Sequence, residues 1–227
     1  MFKRFSICYI LFMFCITGTS AQEDRWTGNA TNLSKGNLRV NSSGRYLEYS
    51  DGTPFLYMGD TAWELISRLN DKETELYLEN RREKGFTVIQ TVILDELDDM
   101  DVSSNGEPKL IDGNIDKPAP GYFTHVDKVI SLAAAKGLYI ALLPTWGDKV
   151  DKQWGKGPEI FTPENAYRYG KWLGERYMNA PNLIWIIGGD RSGDGKNFAI
   201  WNALATGIKS VDKNHLMTYH PHGEHSS

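Results

Sequence analysis

Cysteine is almost absent from this chain. Its 227 residues contain two cysteines, Cys8 and Cys15, and both lie in the apolar segment near the N-terminus. The rest of the chain therefore has no thiol, which excludes a disulfide framework and a cysteine nucleophile there. Cys15 follows the bulky Phe14, whereas a lipidated cysteine is expected to follow a small residue. A folded domain in this chain must therefore be held together by core packing.

A long hydrophobic run is also missing. A membrane-spanning helix needs about 20 apolar residues, and no later segment approaches that length. The apolar run 5–16 follows Lys3 and Arg4 and precedes a group of small residues, which is the pattern of a secretory signal peptide. We expect residues 1–21 to be a signal peptide. The protein would then be exported, to the periplasm, the cell surface or the medium, without a membrane span.

An excess of positive charge is missing as well. The chain has 25 Lys and Arg against 29 Asp and Glu, a formal net charge of -4, and charges of both signs are interspersed. Because there is no basic cluster, binding to nucleic acid or to an anionic membrane is not expected. The remaining composition, 41% hydrophobic and 24% charged residues, is typical of a globular domain.

The chain is organised as alternating strand and helix patterns. Five short, continuously apolar runs predict strands that are buried on both faces, as in a parallel sheet. They cover residues 55–58, 87–94, 139–143, 183–187 and 216–219. Four helical patterns lie between them. Asn70 with Glu73 marks the start of the first and Gly85 its end, and Thr162-Pro163-Glu164 marks the start of the third. The second and fourth are indicated by apolar residues at helical spacing in 126–133 and 200–211.

Polar or aromatic residues follow every predicted strand, and their placement favours one architecture. In a (β/α)8 barrel the carboxyl ends of the strands converge on one mouth, where the chemistry takes place. No glycine-rich phosphate loop follows the first strand, which counts against a nucleotide-binding, doubly wound sheet. The sequence therefore predicts the α/β class. We expect a (β/α)8 TIM barrel truncated to about its first five βα units in residues 53–227, preceded by a lead-in and a small β unit in residues 22–52.

Asp190 is the candidate catalytic residue. It lies where the fourth predicted strand ends, after Gly188 and Gly189, which would let a ligand approach the backbone closely. A carboxyl group there is a candidate general acid, provided that burial or a second negative charge raises its pKa. We therefore expect Arg191 either to point away from this carboxyl or to bind substrate. The alternative is that Asp190 caps the next loop or pairs with Arg191.

Trp63 and Trp146, which follow the first and third predicted strands, are candidate sugar-binding residues. Their apolar ring faces suit the C–H faces of a sugar. Nearby Asp60, Glu96 and Asp148 could accept hydrogen bonds from sugar hydroxyl groups. The alternative is that one tryptophan belongs to the core and that the acids are solvated loop residues.

Histidines follow the fifth predicted strand. His220, His222 and His225 resemble a metal cluster, with Glu224 among them, and would give a metal-dependent hydrolase. A metal site also needs ligands from elsewhere in defined geometry. We instead expect hydrogen-bonding loop histidines, with His220 near the substrate, and neither a metal nor another cofactor. A serine nucleophile is disfavoured too, because the chain has no Gly-x-Ser-x-Gly elbow.

Four stretches of the chain resemble one enzyme family. They are "GDTAWELISRL", "YLENRREKGFTVIQ", "YFTHVDKVISLAAAKGLYIALLPTWGDKV" and "NLIWIIGGDRSGDG", and they are similar to the apiosidase-like glycoside hydrolases, a family of exported (β/α)8 enzymes. The resemblance runs from about Leu38 to the last residue. It implies an acid/base carboxylate after strand four, the position of Asp190, and a nucleophilic carboxylate after strand seven. It also implies activity on apiose-containing plant cell-wall pectin, rhamnogalacturonan II.

The chain departs from that family in one respect. The eightfold pattern requires three strands beyond the five predicted here, and the second of the two carboxyl groups that glycoside hydrolysis uses is missing. Glu224 follows the fifth strand, and its position is not catalytic in the family. We therefore expect the N-terminal part of a longer enzyme, inactive alone. The alternative is a non-catalytic carbohydrate-binding or inactive barrel protein.

Overall fold

The computed structural model describes residues 27–96 and 102–223. The predicted signal peptide, residues 1–21, lies outside the described residues, as do Glu224 and His225. Within the described part of the chain, no helix has both the length and the apolar character that crossing a bilayer requires.

A small antiparallel sheet precedes the main fold, as predicted. Its three strands are β1 (Leu38–Val40), β2 (Leu47–Tyr49) and β3 (Pro54–Phe55). Each of the two turns that connect them places a glycine in the left-handed region, Gly44 with φ 72° and Gly52 with φ 87°. Glycine adopts this conformation at the lowest cost, which is why the chain reverses at these two points.

The first strand of the main sheet is not where the sequence predicts it. The apolar run at residues 55–58 predicts that strand, but the main sheet begins at β4 (Gly59–Thr61). Phe55 is buried in the small sheet, whereas Leu56 and Met58 are exposed. The run is therefore a connection between two sheets, and not a strand buried on both faces.

The main sheet has five parallel strands in chain order. After β4 come β5 (Val88–Leu94), β6 (Tyr139–Thr145), β7 (Leu183–Gly188) and β8 (Met217–His220). Each pairs with the strand that precedes it along the chain. A doubly wound sheet reverses its strand order at a switch point, and this sheet does not. The order is that of consecutive strands in a (β/α)8 barrel.

Among the described residues, five α-helices accompany these strands. They are α1 (Leu65–Arg68), α2 (Asp71–Glu83), α3 (Pro120–Ala135), α4 (Pro163–Tyr177) and α5 (Phe198–Val211). The predicted start signals are confirmed, because α2 begins with a capping box and α4 begins with a proline after a threonine cap. The one-turn helix α1 has no counterpart among the predicted helices.

Side chains of the main sheet alternate between two hydrophobic clusters. On one face, residues such as Ile89, Ile140 and Trp185 pack against the helices. On the other face, residues such as Val92 and Ile186 form a separate cluster, which we call the inner core. Burial on both faces explains why these strands read as continuous apolar runs.

The small sheet closes the amino end of the inner core. The Phe55 ring lies 5.2 Å from the ring of Tyr139, the first residue of β6, and 5.5 Å from the ring of Tyr49, measured between centroids. All three residues are buried, and we refer to them as the aromatic plug. The carboxyl end of the inner core is left to the residues that follow the strands.

Candidate active site

Main-chain hydrogen bonds join the carboxyl ends of β5, β6, β7 and β8. Trp146 N donates to Leu94 O at 2.7 Å. Gly147 N donates to Gly189 O at 3.1 Å, and Gly189 N donates to His220 O at 3.0 Å. The carboxyl ends of four neighbouring strands therefore form one continuous edge, here called the rim.

A tight turn carries Asp190 out of β7. Gly188, Gly189 and Asp190 have φ angles of 106°, 124° and 55°. A Cβ on Gly188 would lie 2.4 Å from His220 O, and one on Gly189 would lie 2.7 Å from Gly147 N. The two glycines are therefore required because neighbouring backbone leaves no room for a Cβ, whereas the sequence predicts that they serve the close approach of a ligand. Asp190 is held in a left-handed conformation that is costly for a residue with a Cβ, a frequent feature of functional sites.

Asp190 presents its carboxyl group on the rim beside His220. Asp190 Oδ1 lies 3.4 Å from His220 Nδ1, and the Asp190 side chain is 41% exposed. His220 Nδ1 is buried and has no closer hydrogen-bond partner among the described residues. The imidazole therefore orients one carboxylate oxygen, while the rest of the group stays accessible to a ligand.

Trp63, Trp146 and His220 form a ring cluster beside Asp190. The two indoles lie 5.2 Å apart, and His220 lies 5.4 Å from Trp63 and 5.7 Å from Trp146, measured between ring centroids. The structure thus brings together two tryptophans that follow different strands. Trp146 is 4% exposed and forms a wall of the inner core. Trp63 is only partly buried, so it is the more accessible of the two indoles.

A cavity of about 140 Å³ opens beside the ring cluster. It is lined by Trp63, Glu64, Val92, Glu96 and Trp146. Burial, together with repulsion from Asp148, raises the pKa of the Glu96 carboxyl group. Such a group can hydrogen-bond a sugar hydroxyl in either protonation state. The structure therefore brings Glu96 to the site as a candidate contact for sugar hydroxyl groups.

A buried carboxyl pair adjoins this cavity. Glu64 is hydrogen-bonded to Asp95, and Asp95 Oδ1 accepts a hydrogen bond from Lys109 Nζ at 2.5 Å. Burial and the Asp95 carboxylate raise the pKa of Glu64 to about 7. Burial also disfavours ionised Asp95, but the hydrogen bond from Glu64 and the charge of Lys109 outweigh it, so the pKa of Asp95 is lowered. The pair therefore shares one proton, which resides on Glu64 below about pH 7.

Sequence reasoning missed this pair, although two signals point to it. Glu64 directly follows Trp63, and Asp95 directly precedes Glu96. Both neighbours are candidate residues in the sequence analysis. What the sequence does not reveal is Lys109, which reaches Asp95 from the segment between β5 and α3.

Arg191 is fully buried and joins two loops. Its Nε and Nη2 donate to the main-chain carbonyls of Asp151 at 2.6 Å and Lys152 at 2.8 Å. Its Nη1 donates to the main-chain carbonyl of Asp190 at 2.9 Å. The guanidinium is thus directed at main-chain oxygens and away from the Asp190 carboxyl. This agrees with the first of the two expectations for Arg191. Because Arg191 has no exposed surface, the expectation that it contacts substrate is corrected: it positions the Asp190 turn.

Asp148 is also buried and fixes the loop that follows β6. Its Oδ2 accepts hydrogen bonds from Lys149 Nζ at 3.0 Å and from Gly157 N at 2.8 Å. The predicted contact between Asp148 and a sugar is therefore corrected as well. Its effect on the site is electrostatic, through the neighbouring Glu96.

Asp60 does not join the rim. It lies within β4 and pairs in register with Ile89, whose side chain packs towards the helices. Its carboxylate forms an ion pair with Arg81 and accepts a hydrogen bond from Tyr77 Oη at 2.7 Å. The sequence places Asp60 after the first strand, but the strand begins later, so the predicted role of Asp60 in substrate binding is corrected.

His220, the last residue of β8, and His222, which follows it, contact groups that are not arranged as a metal site. Within residues 27–96 and 102–223, no three or more His, Cys, Asp or Glu side chains are arranged to hold a metal ion. His220 lies against Asp190 and the tryptophans. His222 Nδ1 lies 3.0 Å from Gly223 O, and His225 lies outside the described residues.

Comparison with known proteins links this geometry to solved structures. The chain is similar to a structure described as a glycoside hydrolase, with 43% identity and a TM-score of 0.74 over 84% of this chain and 42% of the other. A family 5 glycoside hydrolase from Bacteroides vulgatus ATCC 8482 is 36% identical, with a TM-score of 0.75 over 85% of this chain and 41% of the other. No curated protein matches.

A more distant likeness supports the fold alone. The catalytic domain of Thermobifida fusca endoglucanase Cel5A is 14% identical, with a TM-score of 0.51 over 84% of this chain and 55% of the other. With the sequential parallel sheet, this likeness confirms the predicted fold class, the first part of a (β/α)8 barrel.

The family assignment rests on the sequence match. The chain spans about two fifths of the length of the first two similar structures. Residues 41–227 match the family described as "Apiosidase-like, catalytic domain". This chain therefore belongs to the apiosidase-like family of glycoside hydrolases.

Proposed function

We propose that this protein is an exported glycoside hydrolase in which Asp190 donates the proton to the glycosidic oxygen. The observation that carries the proposal is the meeting of Asp190 with the ring cluster on one rim, where the carboxyl lies 3.4 Å from His220. Barrel enzymes keep their chemistry at this end of the sheet. Membership in the family supports the same class of reaction.

The proposed reaction begins with a sugar ring against Trp63. The C–H face of the sugar contacts the indole, and its hydroxyl groups hydrogen-bond to Glu96. Asp190 transfers its proton to the glycosidic oxygen as the bond from that oxygen to the anomeric carbon breaks. Because the left-handed turn and His220 hold the carboxyl in one orientation, little of its freedom is lost when substrate binds.

The reaction needs a second carboxylate, which attacks the anomeric carbon or activates water. The similar glycoside hydrolases are more than twice as long as the part that this chain matches. Within the described residues, β4 and β8 are each paired on one side. We therefore propose that further βα units complete the barrel and supply this carboxylate, and that the 227 residues alone are inactive.

The proposed substrate is an apiosyl linkage in plant cell-wall pectin, rhamnogalacturonan II. The name of the matching family supports the apiosyl part of this assignment, and the resemblance of the sequence to that family implies the pectin. An aromatic face beside carboxyl groups suits a sugar ring in general, so the rim supports a carbohydrate substrate, and apiose is proposed from the family name alone.

Asp190→Asn tests the assigned acid. In a protein with the complete barrel, release of apiose from rhamnogalacturonan II oligosaccharides should fall by about 10²–10⁴-fold, because the amide cannot deliver the proton. Asp60→Asn is the matched control, since the Asp60 carboxylate faces α2 and its loss should leave the rate per folded molecule unchanged. A wild-type rate for Asp190→Asn, with both variants folded, would overturn the acid role.

A second candidate function is carbohydrate binding without catalysis. The observation that favours it is that the sugar contacts, Trp63 and Glu96, lie among the described residues, whereas only one of the two required carboxyl groups is assigned. A protein with the complete barrel that binds the oligosaccharide but releases no product would support this candidate. Product release that depends on Asp190 would exclude it.

We also propose that the protein is exported. The basic start and the apolar run within residues 1–21 support this proposal. Deleting residues 2–21 should retain the protein in the cytoplasm on cell fractionation. An unchanged distribution after this deletion would contradict export through this segment.

A further inference from the structure

Trp154 is an exposed tryptophan close to the Asp190 turn. The residue is 64% exposed and lies in the loop between β6 and α4. Tryptophan is highly buried on average, so an exposed indole beside a functional group calls for an explanation. Aromatic rings that are apolar on their faces and polar at their edge are common at binding surfaces. None of the reaction steps above uses this ring.

Trp154 is held against a rigid support. The Arg191 guanidinium carbon lies 4.3 Å from the centroid of the Trp154 ring, a cation–π contact on one face of the indole. Arg191 is buried and is itself fixed by three main-chain carbonyls. The Asp151 carboxylate stabilises the same loop by accepting hydrogen bonds from Gln153 Nε2 at 2.8 Å and Asn197 Nδ2 at 3.0 Å. A ligand on the free face therefore has little protein motion to restrict.

Arg191, which supports Trp154, also fixes the turn that carries Asp190. Arg191 Nη1 donates to Asp190 O at 2.9 Å, and the same guanidinium contacts Trp154. The Asp190 carboxyl contacts His220 of the ring cluster. Asp190 therefore connects two aromatic groups, the ring cluster through its side chain and Trp154 through its main chain and Arg191.

We propose that Trp154 is the stacking platform for the sugar residue of the leaving group. This inference deepens the proposed function and rests on it. A glycosidic oxygen joins two sugar units, and both sugars must lie next to the acid that protonates that oxygen. The ring cluster and its cavity receive the first sugar, so the second must contact another surface beside Asp190. Trp154 supplies an exposed aromatic face there, which suits the C–H face of a sugar. The ligand is therefore an oligosaccharide of at least two residues.

The test compares two probes by NMR titration of the full chain: a rhamnogalacturonan II side-chain oligosaccharide and free apiose. Trp154→Ala should weaken binding of the oligosaccharide about tenfold, the loss of one stacking contact, and should leave the Kd of apiose unchanged. Trp154→Phe keeps a ring and should retain most of the affinity. Tyr46→Ala removes another exposed ring, in the turn of the small sheet, and should bind both probes as the wild type does.

The outcomes separate this inference from the proposed function. If Trp154→Ala binds the oligosaccharide as tightly as the wild type, or loses both probes equally, the platform is wrong. The proposed function then stands as long as Trp63→Ala still weakens binding of both probes. Wild-type protein that binds neither probe contradicts the proposed function, and the platform with it. Thermal unfolding of each variant shows that the comparison is between folded proteins.

Discussion

The inner core of the parallel sheet ends in aromatic rings at both ends, but the two ends differ in what surrounds those rings. At the amino end, the aromatic plug is buried, with ring centroids 5.2 and 5.5 Å apart. At the carboxyl end, the ring cluster packs as closely but stands beside Asp190, whose side chain is 41% exposed, and beside a cavity. Aromatic packing alone therefore does not indicate a binding site. The accessible carboxyl group beside the rings is what distinguishes the carboxyl end, to which we assign the chemistry, from the amino end, which stabilises the fold.

The largest expected effect is on stability at the amino end. Phe55→Ala removes a buried ring that contacts Tyr49 and Tyr139, so the free energy of unfolding should fall by about 3–5 kcal/mol. Urea denaturation measures this change. The affinity of the folded variant for sugar should stay at the wild-type value. Weaker sugar binding by folded Phe55→Ala protein would contradict the claim that the amino end contributes to stability and not to sugar binding.

A smaller effect on stability is expected at the carboxyl end, and it depends on pH. The pKa of Glu64 is raised from 4.5 to about 7, so the folded state binds this proton more tightly than the unfolded chain does. The stability that the group contributes is present in full below about pH 4.5 and is lost as the pH rises towards 7. Since one pKa unit corresponds to about 1.4 kcal/mol, wild-type protein should lose about 1–3 kcal/mol over this range.

The matched variant for this pH effect is Glu64→Gln. The amide cannot titrate but can still donate a hydrogen bond to Asp95, so the variant should not lose this increment between pH 4.5 and 7. The charged groups around the pair, Lys109 and Arg68, are unchanged in the variant. Urea denaturation at a series of pH values makes the comparison. Parallel pH profiles for the two proteins would contradict the shared proton.

The smallest expected effect is on affinity at the carboxyl end. Trp63→Ala removes the reachable face of the ring cluster, and sugar affinity should fall about tenfold, as for the loss of one aromatic contact. Titration calorimetry with the pectin oligosaccharide measures it, and Phe55→Ala serves as the control from the opposite end. Equal affinities of wild-type and Trp63→Ala protein would remove Trp63 from the site.

Most of the parallel sheet could be predicted because its strands are buried on both faces. The strands β5, β6 and β7 overlap the predicted apolar runs, and the caps that begin α2 and α4 are local signals. The first strand could not be placed in this way. Residues 55–58 are as apolar as a buried strand, and only the packing of Phe55 on the small sheet reveals that they connect two sheets.

The candidate site could be predicted where position along the chain fixes position in space. Trp146 and Asp190 follow β6 and β7, and His220 is the last residue of β8, so the order of these neighbouring parallel strands brings them together. Asp60 shows the limit of this reasoning. The direction of its side chain depends on the register of β4 against β5, and a shift in the start of the strand turns it towards α2.

Contacts between distant segments could not be predicted at all. The shared proton of Glu64 depends on Lys109 reaching Asp95, and the support of Trp154 depends on Arg191 crossing to a different loop. Periodicity and capping report only local structure. These side chains therefore enter the site through geometry that a single sequence does not encode in any local pattern.

The most direct test of the central claim is a crystal structure of the protein with a rhamnogalacturonan II oligosaccharide. We predict a sugar ring against Trp63, with the glycosidic oxygen within about 3 Å of an Asp190 carboxylate oxygen. The protein has another groove, of about 420 Å³, between α5 and β8. Its lining includes Trp201 and Tyr219. A sugar bound in that groove, with the rim left free, would contradict the assignment of the carboxyl end as the catalytic end.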